Sequence, residues 1–184
     1  IAIPTLKTLG LAKDSLNLAR ETYTLGKNQD LAAANAKLAA TKLQLERTRT
    51  QYQVIKWTKF IPLIGAYWQD GNHFLNAALA GIDSAQIIGS ALEPYADVLG
   101  FKGQGSFLGG TAEDRIVTAV QTLEKVMPEI DKVADKLKVA QTELAQINPR
   151  RYPNEVKGKP IRPLIVQAQT LSQDAVIAVT DARP

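Results

Sequence analysis

The chain has 184 residues and a mass of 20.0 kDa, with 22 Lys and Arg against 18 Asp and Glu, 45% hydrophobic residues and 22% charged residues. That is the size of one domain, with apolar residues enough for a core and none of the low-hydrophobicity, high-charge profile of disorder. The absence of cysteine and a single histidine exclude disulfides, thiolate metal sites, cysteine nucleophiles and any site needing two imidazoles.

The chain opens on Ile1 without a charged and apolar leader and is expected to be an excised piece of a longer protein, folding as a single domain over residues 1–184. Leu9, Ala12, Leu16, Ala19 and Tyr23 share one face of an expected first helix, with Pro4 suited to its first turn. Gly26-Lys27-Asn28 reads as a turn. A second helix is expected over residues 30–56, where Leu31, Ala34, Leu38, Leu45, Tyr52 and Ile55 form a stripe completed by Thr41 and Thr48. These two helices should form an antiparallel hairpin. The longest uncharged apolar run, residues 60–68, holds Pro62 and Gly65 and falls far short of the roughly 18 residues of a membrane span.

Residues 66–92 again read as helix, rich in Ala and Gly that let a neighbour approach closely, until Glu93-Pro94 breaks or kinks it. Residues 100–110 are a glycine-rich connection. The clearest signal follows. Ile116, Ala119, Leu123, Val126, Ile130, Val133, Leu137, Ala140, Leu144 and Ile147 recur in alternating steps of three and four, one unbroken stripe of a long helix. Thr111 is its expected N-cap, Glu113 and Asp114 lie where the helix dipole favours anions, and Asn148-Pro149 ends it. Pro128 falls opposite the stripe, so a bend convex to solvent is expected rather than a break. Residues 148–163, with four prolines and five basic residues, read as a basic loop, and a last helix is expected over residues 164–179. The expected fold is all-α: an elongated antiparallel bundle of four to five helices, the long fourth one bent at Pro128.

Candidate chemistry is sparse. Gly103 and Gly105 begin a dinucleotide fingerprint that Leu108 breaks, and Gly110 stands before Thr111 where a phosphate loop requires Lys. The stretch therefore reads as an inter-helix connector. Asp70-Gly71-Asn72 reads as a cap or bend with His73 on the surface, since one imidazole lacks the ligand count of a transition-metal site. Ser84 and Ser90 stand in no nucleophile elbow. No catalytic residue, cofactor or metal is expected, nor a concave pocket gathering titratable groups.

Two basic, aromatic segments carry more. Lys37, Lys42, Arg47, Arg49, Lys56 and Lys59, against Glu46, lead into a run containing Trp57, Phe60, Tyr67 and Trp68. Beyond the long helix come Arg150, Arg151, Tyr152, Lys157, Lys159 and Arg162 against Glu155. If the helices alternate in direction, both segments lie at one end. Lysines and tryptophans are what a lipid headgroup region attracts, so Trp57, Lys59, Phe60, Trp68, Arg150, Arg151, Lys157 and Lys159 are the candidate membrane- or partner-facing residues. The competing reading has Ile61, Leu63, Ile64 and Trp68 capping the core beneath solvated lysines. Nucleic acid is not an expected partner at a net charge of +4.

The order of these features, Gly26-Lys27-Asn28-Gln29-Asp30-Leu31-Ala32-Ala33-Ala34, a long helix, Ile61-Pro62-Leu63-Ile64-Gly65, a small-residue helix and the Arg150-Arg151-Tyr152 loop, resembles the N-terminal helical region of the bacterial family called domain of unknown function 4012. The resemblance implies a membrane anchor before Ile1, an extracytoplasmic location and a further domain beyond Pro184. It supplies no catalytic residues. The function expected is a non-catalytic stalk or protein-interaction module of a membrane-anchored cell-envelope protein, meeting a protein or envelope partner and an anionic membrane surface. The alternative is a ligand-sensing bundle with a cavity lined by groups such as Tyr52, Tyr67, Tyr95 and Gln86.

Overall fold

The structure, a computed structural model, describes residues 21, 24, 30–62, 64–97, 99 and 111–181. Four helices dominate them: α1 (Leu31–Gln53), α2 (Ile64–Leu92), α3 (Ala112–Ala145) and α4 (Ile161–Asp181). Short 3₁₀ turns follow α1 (Lys56–Phe60), α2 (Glu93–Tyr95) and α3 (Pro149–Arg151). A two-residue ribbon, β1 (Glu155–Val156) against β2 (Lys159–Pro160), precedes α4. The class is all-α. The expected first helix and the connection at 100–110 lie outside the described residues.

Local chemistry sets the helix ends. Asp30 caps α1 by accepting from the Ala33 N–H at 3.0 Å. Thr111 caps α3 in a reciprocal box: its hydroxyl accepts from the Asp114 N–H at 3.2 Å, and the Asp114 carboxylate accepts from the Thr111 N–H at 2.8 Å. At the other end of α3, Gln169 of α4 donates to the Leu144 and Ile147 carbonyls at 2.8 and 2.9 Å, satisfying acceptors that a helix terminus leaves open. Pro128 lies exposed inside the continuous α3.

Packing follows the stripes in part. Ala34, Thr41, Leu45 and Thr48 are the buried residues of α1. The two threonines tolerate burial because their hydroxyls donate to the Lys37 and Gln44 carbonyls one turn back. On α2, Ala77 and Ala80 are buried against Ala140, Leu144 and Ile147, at the α3 end of the seam, with Ile165 and Ala168 of α4 closing over them. Each fully buried Leu or Ile there contributes about 1.5–3 kcal/mol. Toward its start the α3 stripe is open instead: Ile116 is 66% exposed.

Side-chain pairs give the directions. Tyr52 meets Trp68, Gln53 meets Asn72 and Lys42 meets Asp83, so α1 and α2 run oppositely. His73 meets Glu143 and Asp83 meets Lys136, so α2 and α3 do too.

Three local expectations need correction. Asp70-Gly71-Asn72-His73 is not a turn but the interior of α2, because its polar groups find partners on other elements: Asp70 on Arg151 and Tyr152, His73 on Glu143. The 148–163 segment is not loop throughout. It holds a 3₁₀ turn and a hairpin whose central residues, Lys157 and Gly158, take φ of 50° and 75°, as a mirror-image two-residue turn requires. Pro163 belongs to the first turn of α4, where a missing N–H breaks no helical bond.

Candidate functional site

The two basic, aromatic segments meet at the end of the molecule formed by the start of α2 and the end of α3. The second segment is anchored there on Asp70, 2% exposed and one turn and a half into α2. Its carboxylate accepts from Arg151 Nη1 at 2.8 Å and from the Tyr152 hydroxyl at 3.1 Å. One turn earlier, the Tyr67 hydroxyl donates to the Arg151 carbonyl at 3.0 Å, and its ring meets Tyr152 edge-on at 5.3 Å. Arg162 Nε closes the segment on itself by donating to the Tyr152 carbonyl at 2.8 Å. A buried carboxylate is tolerable when paired and hydrogen-bonded, so this cluster fixes the 150–162 segment on the side of α2.

The other segment packs onto α2 from α1. Trp68, 8% exposed, stacks on Tyr52 with ring centroids 5.7 Å apart and planes 7° from parallel. The Tyr52 hydroxyl donates to the Trp68 carbonyl at 2.9 Å. Burial, with the Asp70 charge nearby, pushes the Tyr52 phenol up to about 12. Burial also raises the Tyr152 phenol, and the Asp70 carboxylate that accepts its proton raises it further. Both tyrosines are therefore neutral donors at physiological pH. Two glycines allow the approach. A Cβ on Gly71 would run into the Tyr52 hydroxyl, and one on Gly65 into the Lys59 carbonyl.

The predicted site residues divide between surface and interior. Phe60, 79% exposed, and Trp57, half exposed, stand out from the 3₁₀ turn, with Lys59 Nζ 4.8 Å from the Phe60 ring centre. Arg150, Lys157 and Lys159 are exposed as well. Arg151 is partly exposed but committed to Asp70. Trp68 is the exception: it faces the interior, as the core-capping alternative has it, because Tyr52 offers a ring to stack on. Sequence reasoning missed Asp70, Tyr52 and Tyr67 as the residues that hold the pole together. An acid two and three residues after Trp68 and Tyr67 in an otherwise small-residue helix was the available signal.

Beside the pole a cleft of about 670 Å³ opens between α1 and α2, with Arg49, Gln53, Lys56 and Asn72 on its walls. A larger groove of about 780 Å³ lies farther along, among α1, α2 and α3. It departs from the expectation that no pocket gathers titratable groups, since Lys42, Asp83, Lys125, Glu129 and Lys136 all line it. Of the four groups proposed for a ligand cavity, Gln86 and Tyr95 line this groove, while Tyr52 and Tyr67 belong to the pole. Most of its charges are engaged: Lys42 and Lys136 both meet Asp83, at 2.7 and 2.8 Å, and Lys132 bonds Glu129 at 2.9 Å.

His73 Nδ1 lies 2.6 Å from Glu143, which also accepts from Asn76 at 3.1 Å, a polar crosslink between α2 and α3. Among the described residues no three His, Cys, Asp or Glu side chains gather to hold a metal ion, and no helix is long and apolar enough to cross a membrane. No protein-family model, curated protein or solved structure matches the chain.

Proposed function

We propose that this chain is a non-catalytic interaction module, an extracytoplasmic helical stalk of a membrane-anchored cell-envelope protein of the type it resembles, whose basic, aromatic pole meets an anionic membrane surface. The observation that carries the reading is the anchoring of Arg151 and Tyr152 on Asp70 and Tyr67 near the start of α2, the end at which the Lys56–Phe60 turn enters that helix; in this reading Trp57, Lys59 and Phe60 share that end with Arg150, Lys157 and Lys159. Aromatic rings suit the boundary between headgroups and acyl chains, and each lysine or arginine near an anionic surface contributes about 1 kcal/mol. In this reading the helices form an elongated antiparallel bundle bent at Pro128, a shape that small-angle scattering of the wild type and P128A compares directly.

Co-sedimentation with vesicles tests the pole. Phosphatidylglycerol-containing vesicles at low salt should retain the protein and pure phosphatidylcholine should not. Lys157→Gln with Lys159→Gln should weaken retention roughly thirtyfold, about 2 kcal/mol in all. Equal partitioning onto both lipids, or no retention on either, refutes the membrane-facing pole.

A further inference from the structure

The groove among α1, α2 and α3 lies away from the pole, and its chemistry is different. Lys42 reaches into it from α1 and Lys136 from α3, and both grip Asp83 of α2. Two ammonium groups share this one carboxylate, which holds both in place, and Glu46 also acts on Lys42. Each ammonium has three N–H donors; Lys136 donates one to Asp83 Oδ2 and Lys42 faces Oδ1 as an ion pair, so both keep donors for a second anion. Burial pushes the Asp83 carboxyl up, but the hydrogen bonds and charges of Lys136 and Lys42 outweigh it and hold the group below the usual carboxylate range. Lys42 is raised by the same bond. Asp83 and Lys42 therefore both favour their charged forms.

Along α2 from Asp83, the groove carries a narrow apolar strip edged by Gln86 and Ser90, with Glu129 lining it from α3. Ile87, Ala91 and Pro94 follow at steps of four and three, which aligns them on one side of the chain. The ring of Tyr95 closes the far end, with Lys125 Nζ 5.4 Å from its centre. From Asp83 to Pro94 is about 16 Å at the helical rise. The groove thus offers a fixed cationic pair at one end and a narrow apolar strip, edged by polar groups, that runs to the Tyr95 ring beneath Lys125 at the other.

We infer that this groove is a binding site for an amphipathic monocarboxylate of the medium-chain fatty acid type, its carboxylate received by Lys42 and Lys136 and its chain laid along Ile87, Ala91 and Pro94 toward Tyr95. The inference stands apart from the membrane-facing pole and does not depend on it.

Amide chemical-shift titration of the 184-residue chain with decanoate below its micellar concentration tests the assignment. Saturable shifts centred on residues 83–95 and 125–136 are expected. Lys136→Gln, which leaves Asp83 bonded to Lys42, should raise Kd about tenfold, the loss of one charge-assisted hydrogen bond. Ala91→Phe, which fills the track, should abolish saturation, and Lys157→Gln at the pole should change nothing. Decanol and decylammonium test the charge and should bind at least tenfold more weakly. Shifts that never saturate, shifts confined to the pole, binding of decylammonium as tight as that of decanoate, or a Lys136→Gln Kd equal to that of the wild type each overturn the site. A protein that ignores vesicles yet binds decanoate here refutes the pole and leaves the groove standing.

Discussion

Replacing Arg151 with Ala removes the cation that meets Asp70 and leaves a carboxylate, 2% exposed, with the Tyr152 hydroxyl at 3.1 Å. Breaking a buried ion pair by deleting one partner typically costs 3–5 kcal/mol. The Arg151 side chain is 39% exposed, so solvent screens part of the interaction and the expected loss is about 2–3 kcal/mol. For a chain of this size that lowers Tm by about 5–10 °C. The specific claim is coupling, which a double-mutant cycle isolates. Charges about 4 Å apart interact by about 4 kcal/mol at an effective dielectric of 20 and about 1 kcal/mol in water. The half-screened pair should therefore show about 1–2 kcal/mol of coupling between Asp70→Asn and Arg151→Ala in urea unfolding followed by circular dichroism. Losses that add to within about 0.5 kcal/mol would mean that the 150–162 segment is held by something other than this pair.

Two glycines of α2 should respond in opposite directions to the same substitution. Gly71→Ala drives a methyl into the Tyr52 hydroxyl and should cost about 1–3 kcal/mol as overpacking, whereas Gly81→Ala meets nothing within 4 Å and should gain up to about 1 kcal/mol of helix propensity; thermal melts of the two variants decide. The Asp114 carboxyl is held below its ordinary value by the Thr111 backbone N–H and hydroxyl, so its contribution is present above the usual carboxylate range and is lost as pH falls through the lowered value. The stability gap between wild type and Asp114→Asn should accordingly close on acidification, which denaturation at pH 7 and pH 3 measures. Because the Tyr52 phenol is raised to about 12, the stability tied to its neutral form is complete below pH 10 and declines as pH climbs toward 12. Alkaline difference spectra should show a late-ionising phenol that Tyr52→Phe removes.

Residues that act on near neighbours were legible in the sequence. The Thr111 cap, an acidic first turn with Asp114 and the stripe from Val133 to Ile147 follow from helical period and first-turn chemistry, and they recur in α3 as hydrogen bonds and burial, with Asp114 closing a box on Thr111 that the sequence reading did not name. The Asp30 start and the buried Ala34, Thr41, Leu45 and Thr48 of α1 follow in the same way. The Lys157-Gly158 turn was missed although Gly at a tight reversal is its ordinary mark, because the strands it joins are two residues each and show no alternation.

Residues that act across the chain were not legible. Asp70-Gly71-Asn72 carries a turn-like composition, and what keeps it helical is a guanidinium and a phenol more than 80 positions away. Trp57 and Trp68 are the same residue type in one aromatic run, yet one is half exposed and the other stacked inside, since Tyr52 lies within reach of the second. The cation pair of the groove likewise comes from helices nearly a hundred residues apart, brought to one carboxylate of a third. Periodicity and end signals, being local, determined that the described residues are mainly helical and where α1 and α3 start. Which polar groups are buried, and which surfaces they leave charged, is set by partners that meet after the rods have packed, when an unpaired buried charge becomes too costly to keep.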